Sequence, residues 1–573
     1  MTRTLEPFGP WGKLSTTLRE IGGVGSLICA MLVTQSQLAQ VILPLSEIAA
    51  TFGVQDSAGR QSWFAAAYSL SVGTVILPAG RLGDMYGNKL VVLIGFSWAC
   101  LGSLLCGLSS YSHSDICFDV FRAFQGLGFS IALPNAAAVL ARSSVDGQWR
   151  RVIYFTIFAA SAPNGFLIGA VFASLIAQFH AQHWDFSFYL AAVCLFGLTI
   201  LAWFTVPSDE YLTRFYREAE EERLGEAAPP HKKPGFDWLG TFFALIGLIL
   251  VNFAWNQAGV VGWSEPYNGV LLGVGLICIA IFLYVEKKVA HPLIPVDIWT
   301  PQNSVVIGCI ALGWSSFGIW NFYSVRWWIE IRGASLLKAT AYATPAGVAG
   351  CFAATLSAVL LKHAGPSWTM LSALSAFFLA GILIATMPEQ QTYWINSFIS
   401  WCAGPFGMDQ SFPAASLIIA SALPPHKQGV AGSLVNTVIN WSVAVGLGIA
   451  GTVEANTNAG GTDILTAYRS AAYLGSGLAG LGVILAASNV VAVLVRGSRK
   501  SRRGTESAVN EKGTDSTTDV DEAEAGTGTG TGTGMAAGTS GAEIGGGMGD
   551  ETIVPKSEGD AEGKRHIKGT DNQ

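Results

Sequence analysis

The 573-residue chain is 51% hydrophobic and only 13% charged, with a mean hydropathy of +0.43, whereas a soluble globular chain carries about 25% charge; the composition is that of a membrane protein. From Gly497 onward there are fourteen acids and nine bases, which leaves twenty-five acids and twenty-four bases before it. So neutral a body excludes a nucleic-acid binder, which needs a basic face, and the 67 glycines suit close helix packing in lipid.

Residues 1–22 carry Arg3, Glu6, Lys13, Arg19 and Glu20. The apolar run that follows is too long for a signal-peptide core and lacks a clear small-residue cleavage site, which predicts an uncleaved first span. A window of about 19 residues finds apolar stretches at 23–46, 62–80, 89–108, 116–141, 152–176, 186–206, 238–258, 268–286, 304–328, 337–361, 368–387, 393–421, 428–453 and 471–496. Each can cross a hydrocarbon core of about 30 Å as a helix. Because the runs are continuous, they exclude a closed barrel, whose strands alternate every second residue. The expectation is an all-α polytopic protein with fourteen transmembrane helices.

A shift of 279 residues places Gly128 on Gly407, Pro134 on Pro413, Ala136 on Ala415 and Gly169 on Gly448. Two related halves of this kind, with substrate held between repeats, are a common transporter plan. The expected organisation is therefore a cytoplasmic segment 1–22, a six-helix bundle 23–206, a cytoplasmic loop 207–237, two inserted helices 238–286, a second six-helix bundle 304–496 and a disordered cytoplasmic tail 497–573, the tail being rich in Gly, Thr, Ser, Glu and Lys.

With an even number of spans both ends lie on one side. The loops on that side hold Arg81, Lys89, Arg142, Arg150, Arg151, Arg214, Lys287, Lys362 and Lys427 among other bases, and the opposite loops only Arg60, Arg332, Lys338 and Arg469. The positive-inside rule makes both termini cytoplasmic. Cys29, Cys100, Cys106, Cys117, Cys194, Cys278, Cys309, Cys351 and Cys402 fall in or beside apolar stretches, with no CxxC pair and no adjacent histidine. They read as small buried hydrophobes, and neither a metal nor a cofactor is expected. With no GxxxxGK[ST], HExxH or GxSxG, the sequence points to neither a nucleotide-driven pump nor a hydrolase.

Four places in the chain carry chemistry. Between spans 2 and 3, residues Gly80 to Lys89 read as a tight turn in which glycine permits positive φ and Asp84 can face a helix N-terminus. In span 4, Arg122 stands inside an apolar helix, an expensive placement and a functional-site hypothesis by default; Asp119, three residues earlier, can pair with it. In span 12, Asp409 is near the middle of an apolar helix, where an ionised carboxylate is costly, which suits a proton carrier. The spans also carry polar and aromatic groups that suggest a cavity: Gln35, Gln37 and Gln40; Gln125 and Asn135; Trp314, Phe317, Asn321 and Ser324 at helical spacing; and Gln410.

These motifs resemble the major facilitator superfamily. Gly80, Leu82, Asp84, Gly87 and Lys89 match its GxLxDrxGrkxxl signature, with Met85 and Asn88 where a base is usual; Arg122, Gln125, Gly126 and Gly128 match RxxQGxG. Of the antiporter signature GxxxGPxxGG only Pro163 is in register, and Gly165 and Gly169 lie nearby at a spacing of four that also suits helix packing. Fourteen spans and these motifs together are similar to the fungal fourteen-span drug:proton antiporters, in the branch related to aminotriazole-resistance and low-affinity ammonium transporters. The LDxTxxNxALP pattern of many such antiporters has Gln35 in place of its acid here. The resemblance implies a gate at Gly80, Asp84, Gly87 and Lys89, proton coupling through Asp119, Arg122 and Asp409, and a substrate cavity at Gln35, Gln37, Gln125, Trp314, Phe317, Asn321 and Gln410.

The expected function is a proton-coupled secondary transporter of the plasma membrane, a monomer, exporting small organic compounds by alternating access. Alternatives are low-affinity passage of a small solute such as ammonium, a vacuolar location, and a non-transporting membrane sensor that signals through its tail. The expected partners are a small-molecule substrate, protons and the lipid bilayer, with no nucleic acid and no enzymatic activity.

Overall fold

The computed structural model describes residues 16–142, 148–180, 183–211, 214, 235–289, 291–423, 429–458 and 461–518, among which there is no β-strand. The helices are α1 (Thr16–Ile42), α2 (Leu45–Phe52), α3 (Ala58–Tyr86), α4 (Asn88–Leu108), α5 (Asp115–Arg142), α6 (Gln148–Phe179), α7 (Phe186–Thr205), α8 (Trp238–Val261), α9 (Pro266–Glu286), α10 (Pro301–Arg326), α11 (Leu336–His363), α12 (Pro366–Ala385), α13 (Asn396–Ser421), α14 (Gly429–Thr457) and α15 (Ile464–Thr518). All but α2 are long enough to span a bilayer, and thirteen also have the apolarity to do so; α13, with Pro405, Asp409, Gln410 and Pro413 in it, is the one that does not reach that hydropathy. Of the expected tail, residues 497–518 are helical and 519–573, with the Gly-Thr run, lie outside the described residues.

Two boundaries differ from expectation. The first span stops at Ile42 because Pro44 cannot continue its hydrogen bonding, and the chain restarts as the short α2. The expected loop 80–89 shrinks to a single residue, since α3 runs to Tyr86 and α4 begins at Asn88. Gly87 makes the turn at φ +104°, a conformation that only glycine adopts without strain.

Helices α1 and α3–α7 pack among themselves, chiefly α4 on α5, α3 on α5 and α1 on α6; α10–α14 do likewise, chiefly α12 on α13, α10 on α14 and α11 on α13. The two sets meet where α3 lies on α14 and α6 on α11, and the inserted pair α8–α9 docks through α8 on α14 and α3. Part of the internal repeat is visible as packing. A Cβ on Gly128 of α5 would lie 2.4 Å from the backbone N of Ala99 in α4, and one on Gly407 of α13 would lie 2.4 Å from Phe377 in α12. The pairing of Gly169 with Gly448 does not hold: Gly169 meets the Ser36 carbonyl of α1, while Gly448 meets Asn256 of α8. The glycine of α14 that meets the equivalent helix α10 is Gly446, at the Ser315 carbonyl.

Close backbone approach makes a stability prediction. Gly128→Val forces α4 and α5 apart, at an overpacking cost of about 1–3 kcal/mol, whereas Gly25→Ala, with nothing within 4 Å of its added carbon, costs nothing. Thermal unfolding of the two variants in detergent should show a lowered Tm for the first alone.

The cysteines are less uniformly buried than expected. Cys106, Cys278 and Cys309 are buried, but Cys194 and Cys351 are exposed, and none of the nine forms a disulfide. An exposed cysteine on an apolar helix is consistent with its reading as a small hydrophobe facing lipid.

Candidate functional site

At the α3–α4 turn, Asp84 is an exposed side chain with an oxygen 3.5 Å from Arg142 Nη2 at the end of α5. Asn135 of α5 donates to the Ala79 carbonyl at 3.1 Å, so α3 and α5 are tied together just before the turn. A Cβ on Gly83 would fall 1.5 Å from Asn135 Oδ1, which explains a glycine inside this helix. On the other side of the turn, Asp209 accepts from the backbone N–H groups of Asn88 (2.7 Å) and Lys89 (3.0 Å), capping α4. Lys89 Nζ donates to the carbonyls of Trp203 (2.9 Å) and Val206 (2.5 Å) at the end of α7, where a cation offsets the helix dipole. Gly80 lies against Ser433 of α14. The turn thus holds α3, α4, α5 and α7 together and touches the other helix set.

Deeper in the same set, Arg122 is fully buried. Its guanidinium donates to Gln125 Oε1 (2.5 Å), the Phe64 carbonyl (3.1 Å) and the Gln37 carbonyl (3.1 Å), and lies 4.5 Å from the Tyr68 ring centroid. Gln125 Nε2 in turn donates to Gln37 Oε1 and Ser103 Oγ, both at 2.7 Å. Three residues expected to act together, Arg122, Gln125 and Gln37, therefore form one network between α1, α4 and α5. The expected pairing of Asp119 with Arg122 is absent: Arg122 turns inward onto neutral acceptors and a ring face, and Asp119 is half-buried, its Oδ1 without a hydrogen-bond partner. The nearby ion pair is instead Arg60 with Asp115, at 2.5 Å. Gln35 is half-buried on α1 outside this network.

In the second set, Trp314 and Phe317 are packed: both rings lie against Phe377 of α12, at 5.9 and 6.1 Å, and Trp314 Nε1 donates to Ser411 Oγ of α13 at 3.1 Å. The aromatic line continues through Trp320 to Trp401 and on to Phe166 of α6. Polar groups beside it are left without partners. Asn321 Oδ1, Asp409 Oδ2 and both amide atoms of Gln410 are buried and make no hydrogen bond, which in a native structure calls for an explanation such as an absent water, ion or ligand.

Asp409 sits at the seam between the sets. A Cβ on Gly350 of α11 would lie 2.6 Å from Pro163 of α6 and 3.4 Å from Asp409 Oδ2, so the carboxylate and the residue that matches the antiporter signature both border Gly350. Gly165 and Gly169 face away from this seam, against the carbonyls of Leu32 and Ser36 in α1. Further along, Ser174 and Thr340 hydroxyls meet at 2.7 Å and Gln178 accepts from the Leu337 N–H at 2.9 Å, joining α6 to α11.

A buried charged network lies outside the residues expected from the sequence. Arg326 Nη1 pairs with Glu454 at 3.0 Å and Arg326 Nε with Glu330 at 3.0 Å. Tyr323 OH donates to Glu454 Oε2 at 2.7 Å, Tyr468 OH donates to Glu330, and the guanidinium lies 4.7 Å from the Tyr468 ring. Arg326 is followed by a π-helical turn, Trp327–Ile331, a feature frequent at functional sites. The signal was present: Arg326 lies within the apolar stretch 304–328, so the argument that singled out Arg122 applies to it equally. The large cavity among the described residues, about 1130 Å³, lies between α11 and α13 and is lined by none of the seven residues expected to form one.

Residues 25–447 match the Major Facilitator Superfamily. The chain is 43% identical to the "Low affinity ammonium transporter" of Saccharomyces cerevisiae, over 84% of this chain and 91% of that one. It is 38% identical to "Efflux pump terJ" of Aspergillus terreus, over 81% and 87%. Among solved structures, the nucleoside transporter NupG superposes with a TM-score of 0.55 at 12% identity, covering 82% of this chain and 99% of that one, a likeness of fold.

Proposed function

The chain belongs to the Major Facilitator Superfamily and is a multi-pass membrane transporter, and on that premise we propose that it exports small organic compounds in exchange for protons. The reading rests on one observation above the others, the unpartnered Asp409 carboxylate at the α6–α11 seam, buried at 8% exposure next to Gly350. A carboxyl group that carries a proton there is neutral and cheap to bury, and one that has lost it must be rehydrated or repaired. Protonation therefore biases the seam between closed and open arrangements, which is what coupling to alternating access requires. Arg122 and Asp119 form the second part of the coupling apparatus: a buried cation bonded to neutral acceptors, with a carboxyl group one helical turn away on α5 whose Oδ1 is buried and without a hydrogen-bond partner. Gln35, Gln37, Gln125, Trp314, Phe317, Asn321 and Gln410 supply the substrate's surroundings when the two helix sets part. The transporter works as a monomer in the plasma membrane with both termini cytoplasmic, as the distribution of Lys and Arg among its loops favours.

The similarity to a low-affinity ammonium transporter supports a second reading, passage of ammonium itself. Purified protein in sealed vesicles separates the two. An imposed pH gradient should drive rhodamine 6G accumulation under the export reading, and labelled methylammonium uptake without it under the other. Absence of gradient-driven dye movement overturns the first.

The Asp84–Arg142 pair at the α3–α4 turn acts as the gate. Because Asp84 biases the access states without touching substrate, Asp84→Ala should slow dye transport while leaving dye affinity at the parent value. Equal transport rates in variant and parent would remove the gate assignment.

A further inference from the structure

The cavity of about 1130 Å³ between α11 and α13 has no part in the reading above. Its two walls are helix faces in register: Ala341, Pro345, Val348 and Phe352 recur along α11, and Trp394, Phe398, Cys402 and Phe406 begin before and run along α13. From Ala341 to Phe352 is eleven residues, about 16 Å of helix, which is about half of a hydrocarbon core of about 30 Å. The cavity therefore has the depth of one leaflet. Val348 is 60% and Phe352 67% exposed, so its side is open to the apolar region of the bilayer, and an occupant can enter from the membrane without crossing water.

The mouth has a different chemistry. Tyr342 and Tyr393 stack at 4.1 Å and 9°, and Tyr393 OH donates to the Tyr342 carbonyl at 2.6 Å, with Trp394 69% exposed beside them; aromatic side chains of this kind collect at the headgroup level. Arg332 is fixed there by donating to the carbonyls of Pro388 (3.1 Å) and Glu389 (3.2 Å), and Lys338 Nζ lies 5.8 Å from the Tyr342 ring. Neither cation is ion-paired to a carboxylate among the described residues. With Glu389 as the one acid lining the mouth, the formal balance of Arg332, Lys338 and Glu389 is one net positive charge.

An apolar trough one leaflet deep, ending in an aromatic collar and two cations, fits one class of ligand. We infer that the α11–α13 cavity is a binding site for an anionic membrane lipid, whose acyl chain lies between Val348, Phe352, Phe398 and Phe406 and whose acidic headgroup meets Arg332 and Lys338. In the orientation proposed above this lipid comes from the outer leaflet. The assignment stands whichever cargo the transporter carries.

Native mass spectrometry of the delipidated full-length protein, titrated with dioleoylphosphatidylglycerol or dioleoylphosphatidylcholine, tests it. Each net positive charge near an anionic headgroup is worth about a factor of five, so the parent, with one net positive charge at the mouth, should retain the anionic lipid at about fivefold lower concentration than the zwitterionic one. The double variant Arg332→Gln with Lys338→Gln should lose that preference and keep the weaker, headgroup-independent binding. Val348→Trp, on an exposed position where the fold tolerates bulk, should remove the bound molecule of either lipid. Equal retention of both lipids by the parent, or unchanged lipid binding in Val348→Trp, overturns the site. Loss of rhodamine 6G binding in Val348→Trp with lipid binding intact would assign the cavity to cargo and also overturn it.

Discussion

Asp409→Asn should abolish gradient-driven accumulation of substrate in vesicles while leaving substrate binding in place. The replacement keeps the size of the side chain at the α6–α11 seam and removes its titration, so the protein can still change access but cannot be driven by a pH difference. Accumulation under an imposed gradient should fall to the level seen without one. Arg122→Ala should also impair coupling, because it deletes a buried cation that makes hydrogen bonds to Gln125, Phe64 and Gln37. Gln35→Ala, at an amide that cannot titrate, should change affinity or selectivity with coupling intact. Gradient-driven accumulation at the parent level in Asp409→Asn would transfer the proton-carrier role to Asp119.

The largest effect on stability is expected at Glu454. Glu454→Ala leaves Arg326 buried with Glu330 as its one remaining carboxylate and strips Tyr323 of its acceptor. Removing one partner of a buried pair costs about 3–5 kcal/mol, a large share of the marginal stability of a folded protein. Thermal unfolding in detergent should show a much lower Tm. Arg326→Met combined with Glu454→Leu should recover part of the loss, since two well-packed apolar side chains can replace an ion pair at little cost whereas a stranded charge cannot. A single variant as stable as the parent would mean that water reaches Arg326 and that the network is not a closed, dry cluster.

The two buried arginines differ in how much of their surroundings the local sequence reveals. Arg122 was found because a cation in an apolar run stands out and because its neighbours Gln125, Gly126 and Gly128 match a signature. Its partners are not legible locally: residues three apart share a helix face, which points to Asp119, yet the side chain turns toward α1 and α3. Arg326 stood out by the same local measure, but Glu454 lies 128 residues away, and nothing in either stretch announces the other. For Asp409 the sequence shows that a carboxylate is misplaced in an apolar helix. That it faces Gly350, which Pro163 borders on the other side, depends on α6, α11 and α13 meeting at one seam.

The sequence by itself determined the membrane class, the positions of the apolar helices and the superfamily, because each depends on composition or spacing within about twenty residues. Helix ends shifted by several residues, as at Ile42, Tyr86 and Ile464, because hydropathy averages over a window and does not see where backbone hydrogen bonding stops. The tertiary structure alone decided which helix sets touch, which buried polar groups find partners and where space remains between α11 and α13. Those outcomes depend on packing between segments from about thirty to nearly two hundred residues apart, where a glycine such as Gly128 against Ala99 or Gly350 against Pro163 sets how closely two helices approach, and no sum over local sequence contains that distance.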